Sequence, residues 1–284
     1  MNFLLHLITI ISLELFVTLG YNLVFGKGKI LHFGQVAVAL VSAYAIFVTL
    51  RFTGSYLIAL PVGFVITMIL SALFAWLSLR LPSDAFGVMS IAIHLALLAV
   101  VLNWNMVTRG ALGIVGIPRL PFLQNPLHFA VISVVLALLW ILFLWSLDRG
   151  PFGRRMAALA EQEWHARSLG VDVAHMRFVA FLIAGLGTFI TSALLPQYLS
   201  ILHPNDYAFL WVAFLIMIVV AGNPGSVLGV TLSTVLLMLL KEALRFLPLP
   251  VSLVGPLRLM LFGAILFAAV WLRREKLFPP KRAV

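Results

Sequence analysis

DRGPFGRRMAALAEQEWHARSLGVDVAHMR, residues 148–177, is the one long polar stretch of the chain, and it holds four of the nine acidic residues between two strongly apolar halves. A chain that concentrates charge in one internal loop presents that loop to water. From Arg154 to Leu169 the residues are mostly good helix formers, with Gly153 before them and Gly170 after, which predicts a short amphipathic helix closed by a C-terminal glycine. Met156, Leu159, Ala160 and Trp164 recur at three- and four-residue steps and predict one apolar face opposite a charged one. On these features alone the stretch reads as a solvated linker helix lying on a membrane surface.

The sequence on either side of the loop explains why a membrane is invoked. The chain has 284 residues, of which 63% are hydrophobic and 10% charged, with a mean hydropathy of +1.14. A soluble domain carries about a quarter charged residues, so an ordinary soluble fold is excluded. Each spanning helix needs about 20 apolar residues, which leaves room for about 8–10 spans with short connections. The expected fold is therefore an all-α polytopic membrane protein, with 1–284 forming a single transmembrane domain. Spans are predicted near 3–25, 35–50, 56–79, 85–103, 126–147, 178–198, 208–222, 226–246 and 256–272. The chain has no cysteine, which removes disulfides, thiolate catalysis and most zinc sites.

The net charge of +10 needs no nucleic acid, because membrane topology accounts for it. Lys and Arg collect in cytoplasmic loops, so the loop 148–177 and the basic tail 273–284 are expected on the same side. The four apolar spans between them agree in parity. Alternation then puts Lys27, Lys29, Arg80 and the basic residues of the central loop and tail inside, 13 of the 19 in all. Lys241, Arg245 and Arg258 are left awkwardly near the opposite face. The first span has neither a basic leader nor a small-residue cleavage site, and it is expected to be retained.

Within the spans, chemistry-bearing residues are few. Glu14 falls mid-span, where a charge is costly, and is expected to face the protein interior in a structural role, with a place on a transport path as the alternative. His94, alone on an apolar helix, reads as a hydrogen-bonded structural residue. GKGKILHFGQ, residues 26–35, lacks the spacing and the Ser or Thr of a phosphate-binding loop, so ATP binding is rejected there. Broken-helix backbone lining a path is the reading preferred for it. TRGALGIVGIPRLP, within the loop 103–125, is a Gly/Pro turn region expected outside. AGNPGS, residues 221–226, predicts a tight turn on the inner side, after which Gly225, Gly229 and Ser233 form a smooth packing strip. Neither a HExxH motif nor a paired-carboxylate or Ser-His-Asp arrangement is present, so no catalytic residue and no metal ligand is assigned. The scarcity of ionisable relays in the spans argues against a standalone proton-coupled carrier.

Four segments, in order along the chain, resemble the permease subunits of bacterial branched-chain amino-acid ABC importers. Glu161, Glu163, Ala166, Leu169 and Gly170 occupy a pattern close to ExExxAxxLG of the family's cytoplasmic loop. Gly28, Gly34, Gln35, Ala37, Ala43 and Tyr44 match a glycine-rich segment. Thr108, Gly110, Gly113, Gly116, Ile117 and Pro118 match a periplasmic TGGxxGLxGIP segment, and Gly222, Gly225, Ser226 and Gly229 match GGxGSxxGxxxG. The resemblance implies a coupling helix that docks on an ATPase, and a binding-protein-dependent importer of branched-chain or other hydrophobic amino acids in the bacterial inner membrane. It further implies a second permease subunit, two ATPase subunits that bind the ATP and magnesium, and a periplasmic binding protein, with no cofactor in this chain. Within the same class a urea or short-amide permease is the alternative. From other classes the alternatives are a standalone secondary transporter and a non-transporting scaffold.

Overall fold

The computed structural model describes residues 2–243 and isolated helical positions between 257 and 271; the predicted basic tail 273–284, Arg245 and Arg258 lie outside the described residues. Helix α1 (Asn2–Tyr21) continues without a break into a π-helical turn, Asn22–Lys27. It is followed by α2 (Gln35–Thr53), α3 (Tyr56–Arg80), α4 (Ser83–Asn103), the single-turn α5 (Asn105–Thr108) and α6 (Pro126–Arg149). The polar loop holds α7 (Pro151–Glu161) and α8 (Glu163–Ser168), and α9 (Val173–Leu199), α10 (Phe209–Ala221) and α11 (Val227–Ala243) complete the described part.

Local sequence sets many of these boundaries. Gly54 ends α2 in the left-handed conformation, its N–H donating to Leu50 O at 2.7 Å. Asn125 caps α6 by accepting from Leu127 N at 2.9 Å, and Asp172 caps α9 by accepting from His175 N at 3.0 Å. Side-chain oxygens of this kind satisfy first-turn N–H groups that have no partner within the helix.

Six described helices are long and apolar enough to cross a membrane: Phe3–Lys27, Gln35–Thr53, Tyr56–Arg80, Ser83–Asn103, Pro126–Arg149 and Val173–Leu199. They form a multi-pass all-α membrane protein. The first two are mostly buried inside the protein, and with α9 they make its centre; α3, α4 and α6 turn apolar side chains such as Leu57, Ile69 and Leu138 outward. Where lipid is as apolar as leucine, polar contacts and close packing hold helices together. Thr18 meets Thr234 at 3.1 Å, Thr67 donates to Ser42 at 2.7 Å, and Thr191 donates to Leu13 O at 2.7 Å.

The helices alternate in direction as the sequence predicts. One end gathers Lys27 with Asp148 (2.6 Å), Arg177 with Ser78 O, and Gly225 N with Asn22 Oδ1 (2.8 Å). The opposite end gathers His6 with Tyr198 (3.0 Å) and Tyr56 with Pro118 O, and holds a two-stranded antiparallel pair, β1 (Ile114–Val115) and β2 (Ile201–Leu202).

The predicted span 208–222 is a helix of only 13 residues, Phe209–Ala221. That is about 20 Å of helix against a hydrocarbon core of about 30 Å. The deficit falls before it, where residues 200–208 run as irregular chain, β2 and a short 3-10 turn, Pro204–Tyr207.

Candidate functional site

The polar loop differs from the single helix expected for it. Gln162 is extended (φ −151, ψ 100) and divides α7 from α8. Tertiary contacts account for the break. Met156 of α7 is buried against Gly28, Ala166 of α8 is buried, and Glu163 is drawn to Arg177 at 2.7 Å while also pairing with Arg167 at 2.6 Å.

The break also re-aims the predicted apolar face. Met156 is buried and Leu159 half-buried, but Trp164 is 74% exposed and so does not belong to the packed face; Leu169 is 83% exposed. Glu161 is exposed at the end of α7. Gly170 closes α8 as the sequence predicts, with φ +82, its N–H donating to Arg167 O (2.9 Å) and Val171 N–H to Ala166 O (3.1 Å). That pair of bonds satisfies helix-end carbonyls that otherwise face water. The loop thus carries an exposed tryptophan and leucine on a short helix fixed from below by one carboxylate between two guanidinium groups.

Beneath the loop, two other predicted segments meet. Gly28 lies under Met156, and Gly225 donates to Asn22 in the π-helical turn. Ser226 accepts from Gly229 N at 3.1 Å and starts α11. A Cβ at Gly229 would stand 1.9 Å from Gly222 O, so the two helices joined by this turn pack backbone to backbone. Farther along the 26–35 segment, Gly34 abuts Phe74, and buried Gln35 donates to Ala184 O and to Thr188 Oγ1. His32 is enclosed by the rings of Phe74, Phe86 and Phe181, and burial pushes its imidazole down to about 3, so it is neutral.

At the other end the loop 103–125 folds onto the end of α9. Gly113 (φ +67) lies where a Cβ would stand 2.4 Å from Leu202 O, and Gly116 and Ile117 donate to Ser200 O at 3.0 and 3.3 Å. Pro118 accepts from Tyr56. Arg119 reaches the last carbonyls of α9, donating to Gln197 O (3.1 Å) and Tyr198 O (2.8 Å), a cation on the negative end of that helix.

What this loop clamps is the wall of a cavity of about 610 Å³, open on one side. Its lining is mainly apolar, with Leu195, Leu199, Phe214, Met217 and Met238 among it, but it also includes Glu14, His203, Asp206 and Lys241. Trp211 Nε1 donates to Glu14 Oε1 at 2.8 Å. Since Glu14 lies midway along the first span, roughly 18 Å from its start, the first turn of α10 begins level with the middle of that span. Irregular backbone at such depth is tolerated only where protein covers it or where it lines a wet cavity, and residues 200–208 do the latter. The segment 26–35 is also broken, running as irregular chain between the π-helical turn and α2, but none of its residues lines this cavity.

The sequence offered one pointer to this cavity, Glu14 as a carboxylate at membrane depth. Trp211, Asp206 and Lys241 join it only through the fold. Lys241, awkward as a charge near a membrane face, is accounted for by its place in the lining. His94 is buried, and neither ring nitrogen has a hydrogen-bond partner, contrary to the bonded role expected of it. Among the described residues no group of three or more His, Asp or Glu side chains is placed to hold a metal ion.

Comparison with known proteins bears on the whole chain. The profile of the family described as "Branched-chain amino acid transport system / permease component" matches residues 3–270. The chain is similar to the high-affinity branched-chain amino acid transport system permease protein LivM of Salmonella typhimurium, 24% identical over 302 residues that cover 96% of this chain and 69% of that protein. LivM of Escherichia coli gives the same identity and coverage. A probable branched-chain amino acid transport permease protein LivM of Methanocaldococcus jannaschii is 27% identical over 80% of this chain and 69% of its own. No solved structure matches the chain.

Proposed function

Because the chain belongs to the family of permease components of branched-chain amino acid transport systems, we propose that it forms the membrane passage of a binding-protein-dependent importer for branched-chain or other hydrophobic amino acids. It is a transport subunit and acts with partner subunits. In this reading the partners are a second permease, two ATPase subunits that bind ATP and magnesium, and a periplasmic binding protein. The membrane is the bacterial inner membrane, and the loop 148–177 lies on the cytoplasmic side.

One observation supports the ATPase partner: Trp164 and Leu169 stand 74% and 83% exposed on an otherwise polar loop. Large apolar side chains displayed on a rigid, charged mount are suited to a partner's pocket, where buried aromatic anchors carry most of the affinity. The mount also connects inward. A push on α7 is felt at Gly28 through Met156, at the end of the first span, where Asp148 in the last turn of α6 also pairs with Lys27. ATP-driven movement of the loop is thereby linked to the helix that carries Glu14, and would rock the permease between its outward- and inward-open states.

Glu163→Arg tests the reading. It replaces the carboxylate between Arg167 and Arg177 with a third cation, and the expected result is at least a tenfold loss of ATPase co-purification with the permease still inserted. Wild-type ATPase binding and leucine uptake in this variant would sink the assignment of the loop.

A further inference from the structure

We infer that the cavity at the start of α10 is a binding subsite for a zwitterionic amino acid with an apolar side chain, its ammonium held by Glu14 and Asp206 and its carboxylate by Lys241. The inference rests on the transport reading above and names, within this one chain, a place where the solute is held.

Three features of the cavity match that ligand. The first is charge of both signs in one mainly apolar enclosure: two carboxylates and one ammonium line a space with leucine, methionine and phenylalanine side chains, and with His203, Asn205 and Tyr207 as further polar groups. Lys241 lines the same cavity as Glu14 and Asp206. An amino acid carries an ammonium and a carboxylate on one carbon, so it can meet both signs at once while its aliphatic end fills the apolar part. A monovalent cation, a fatty acid or a neutral amide satisfies only part of such a lining. The second feature is preorganisation. Trp211 fixes one oxygen of Glu14 at 2.8 Å, and a carboxylate retains acceptor capacity beyond that single bond. Lys241 extends beside the Phe214 ring, its Nζ 5.6 Å from the ring centre, which steadies the cation in place.

The third feature is the backbone around the cavity. Residues 200–208 interrupt the helical course between α9 and α10 and bring the first turn of α10 to the depth of Glu14. Interrupted helices at mid-membrane are where transporters place their solute sites, because freed backbone groups and helix ends supply polar contacts there. Its volume of about 610 Å³ lies within the range of small-molecule sites, about 300–1,000 Å³, and leaves room for a leucine-sized solute together with water. The outer-loop glycines gain a purpose from this: they let β1 lie against β2 and so hold the cavity wall at Leu202 and His203.

The test uses the assembled transporter, permeases with ATPases, in lipid nanodiscs, and measures binding of radiolabelled L-leucine with three competitors: L-leucine, L-leucinamide and 4-methylpentanoate. Wild type should bind leucine saturably, with each analogue competing at least tenfold more weakly. Glu14→Gln, which keeps an acceptor for Trp211, should weaken leucine binding at least tenfold and abolish discrimination against 4-methylpentanoate, which lacks the ammonium. Lys241→Met should abolish discrimination against leucinamide, which lacks the carboxylate. If Glu14→Gln does not assemble, Asp206→Asn carries the same expectation from the connecting segment. Equal binding of leucine and 4-methylpentanoate by wild type, or wild-type leucine binding in the variants, overturns the subsite. Uptake by the importer with its binding protein separates the two levels. A wild-type importer that takes up no leucine, isoleucine or valine defeats the transport reading, whereas leucine uptake left intact by both variants defeats the subsite alone.

Discussion

The two ends of the molecule are built on opposite terms. At the end bearing the loop 103–125, main chain is bonded to main chain, β1 pairing with β2 and Gly116 and Ile117 donating to Ser200 O, and the Arg119 side chain adds bonds to the last carbonyls of α9. At the end bearing the loop 148–177, two short helices rest on a few side chains, Met156, Ala166 and the ion pair of Glu163 with Arg177, and leave Trp164 and Leu169 uncovered. A region that must keep a cavity in shape is stitched through its backbone. The region proposed to meet a partner is instead held by side-chain contacts and keeps its largest apolar groups outward.

The first way to break this comparison is all-or-none. The chain has no cysteine, so single replacements report cleanly: Gln162→Cys should react only with a reagent on the cytoplasmic side and Ala111→Cys only with one outside. Reaction of both from the same side would mean that the two loops are not at opposite ends.

Next in size is a variant at the junction under the polar loop. Gly229→Leu forces a side chain to where Gly222 O stands 1.9 Å from a Cβ. Overpacking of this kind costs about 1–3 kcal/mol and occasionally more, and here backbone would have to yield. Assembly and transport of every solute should be lost, while Asn223→Gly, at a position already in the left-handed region (φ 72), should be nearly silent. Normal assembly of Gly229→Leu with a changed choice of solute would place that strip on the pathway.

The finest comparison uses two left-handed glycines, one at each end. Gly113→Ala incurs both the penalty of a nearly glycine-only conformation (φ 67, ψ −177) and a clash with Leu202 O, together about 2–6 kcal/mol. Gly170→Ala meets nothing within 4 Å and should cost only the conformational part, about 1–2 kcal/mol, confined to α8. Thermal unfolding of the purified complex should therefore drop clearly for the first and little for the second. Equal shifts would show that the polar loop is as tightly integrated as the outer one.

The apolar spans, the alternation of their ends, the glycine after α8 and the turn at 221–226 were all legible in the sequence, because each rests on composition or local backbone chemistry. The break at Gln162 was not. Residues 154–169 have nothing against a continuous helix, and the chain bends there because Glu163 is claimed by Arg177 across the fold. The short α10 was hidden for a related reason. Residues 208–222 are apolar throughout, and hydrophobicity cannot tell a helix that crosses the bilayer from one that begins halfway down against a buried carboxylate. Of the cavity, Glu14 alone stood out; Trp211 and Lys241 lie some two hundred residues away and are read as partners only once α10 and α11 are folded beside α1.

That distance in sequence has a consequence during synthesis. Glu14 and Trp211 are 197 residues apart, and at about 5–20 residues per second roughly 10–40 s separate their emergence from the ribosome. Throughout that interval α1 is made but its carboxylate has no indole to meet, and a lone acidic group at the centre of a spanning helix costs about 2.5–3.5 kcal/mol to insert. The rest of that span, whose mean hydropathy is 2.0 even with Glu14 counted, must carry it into the bilayer alone. The first helix of this protein is therefore held in the membrane by its leucines and isoleucines well before the contact that fixes its acidic residue exists.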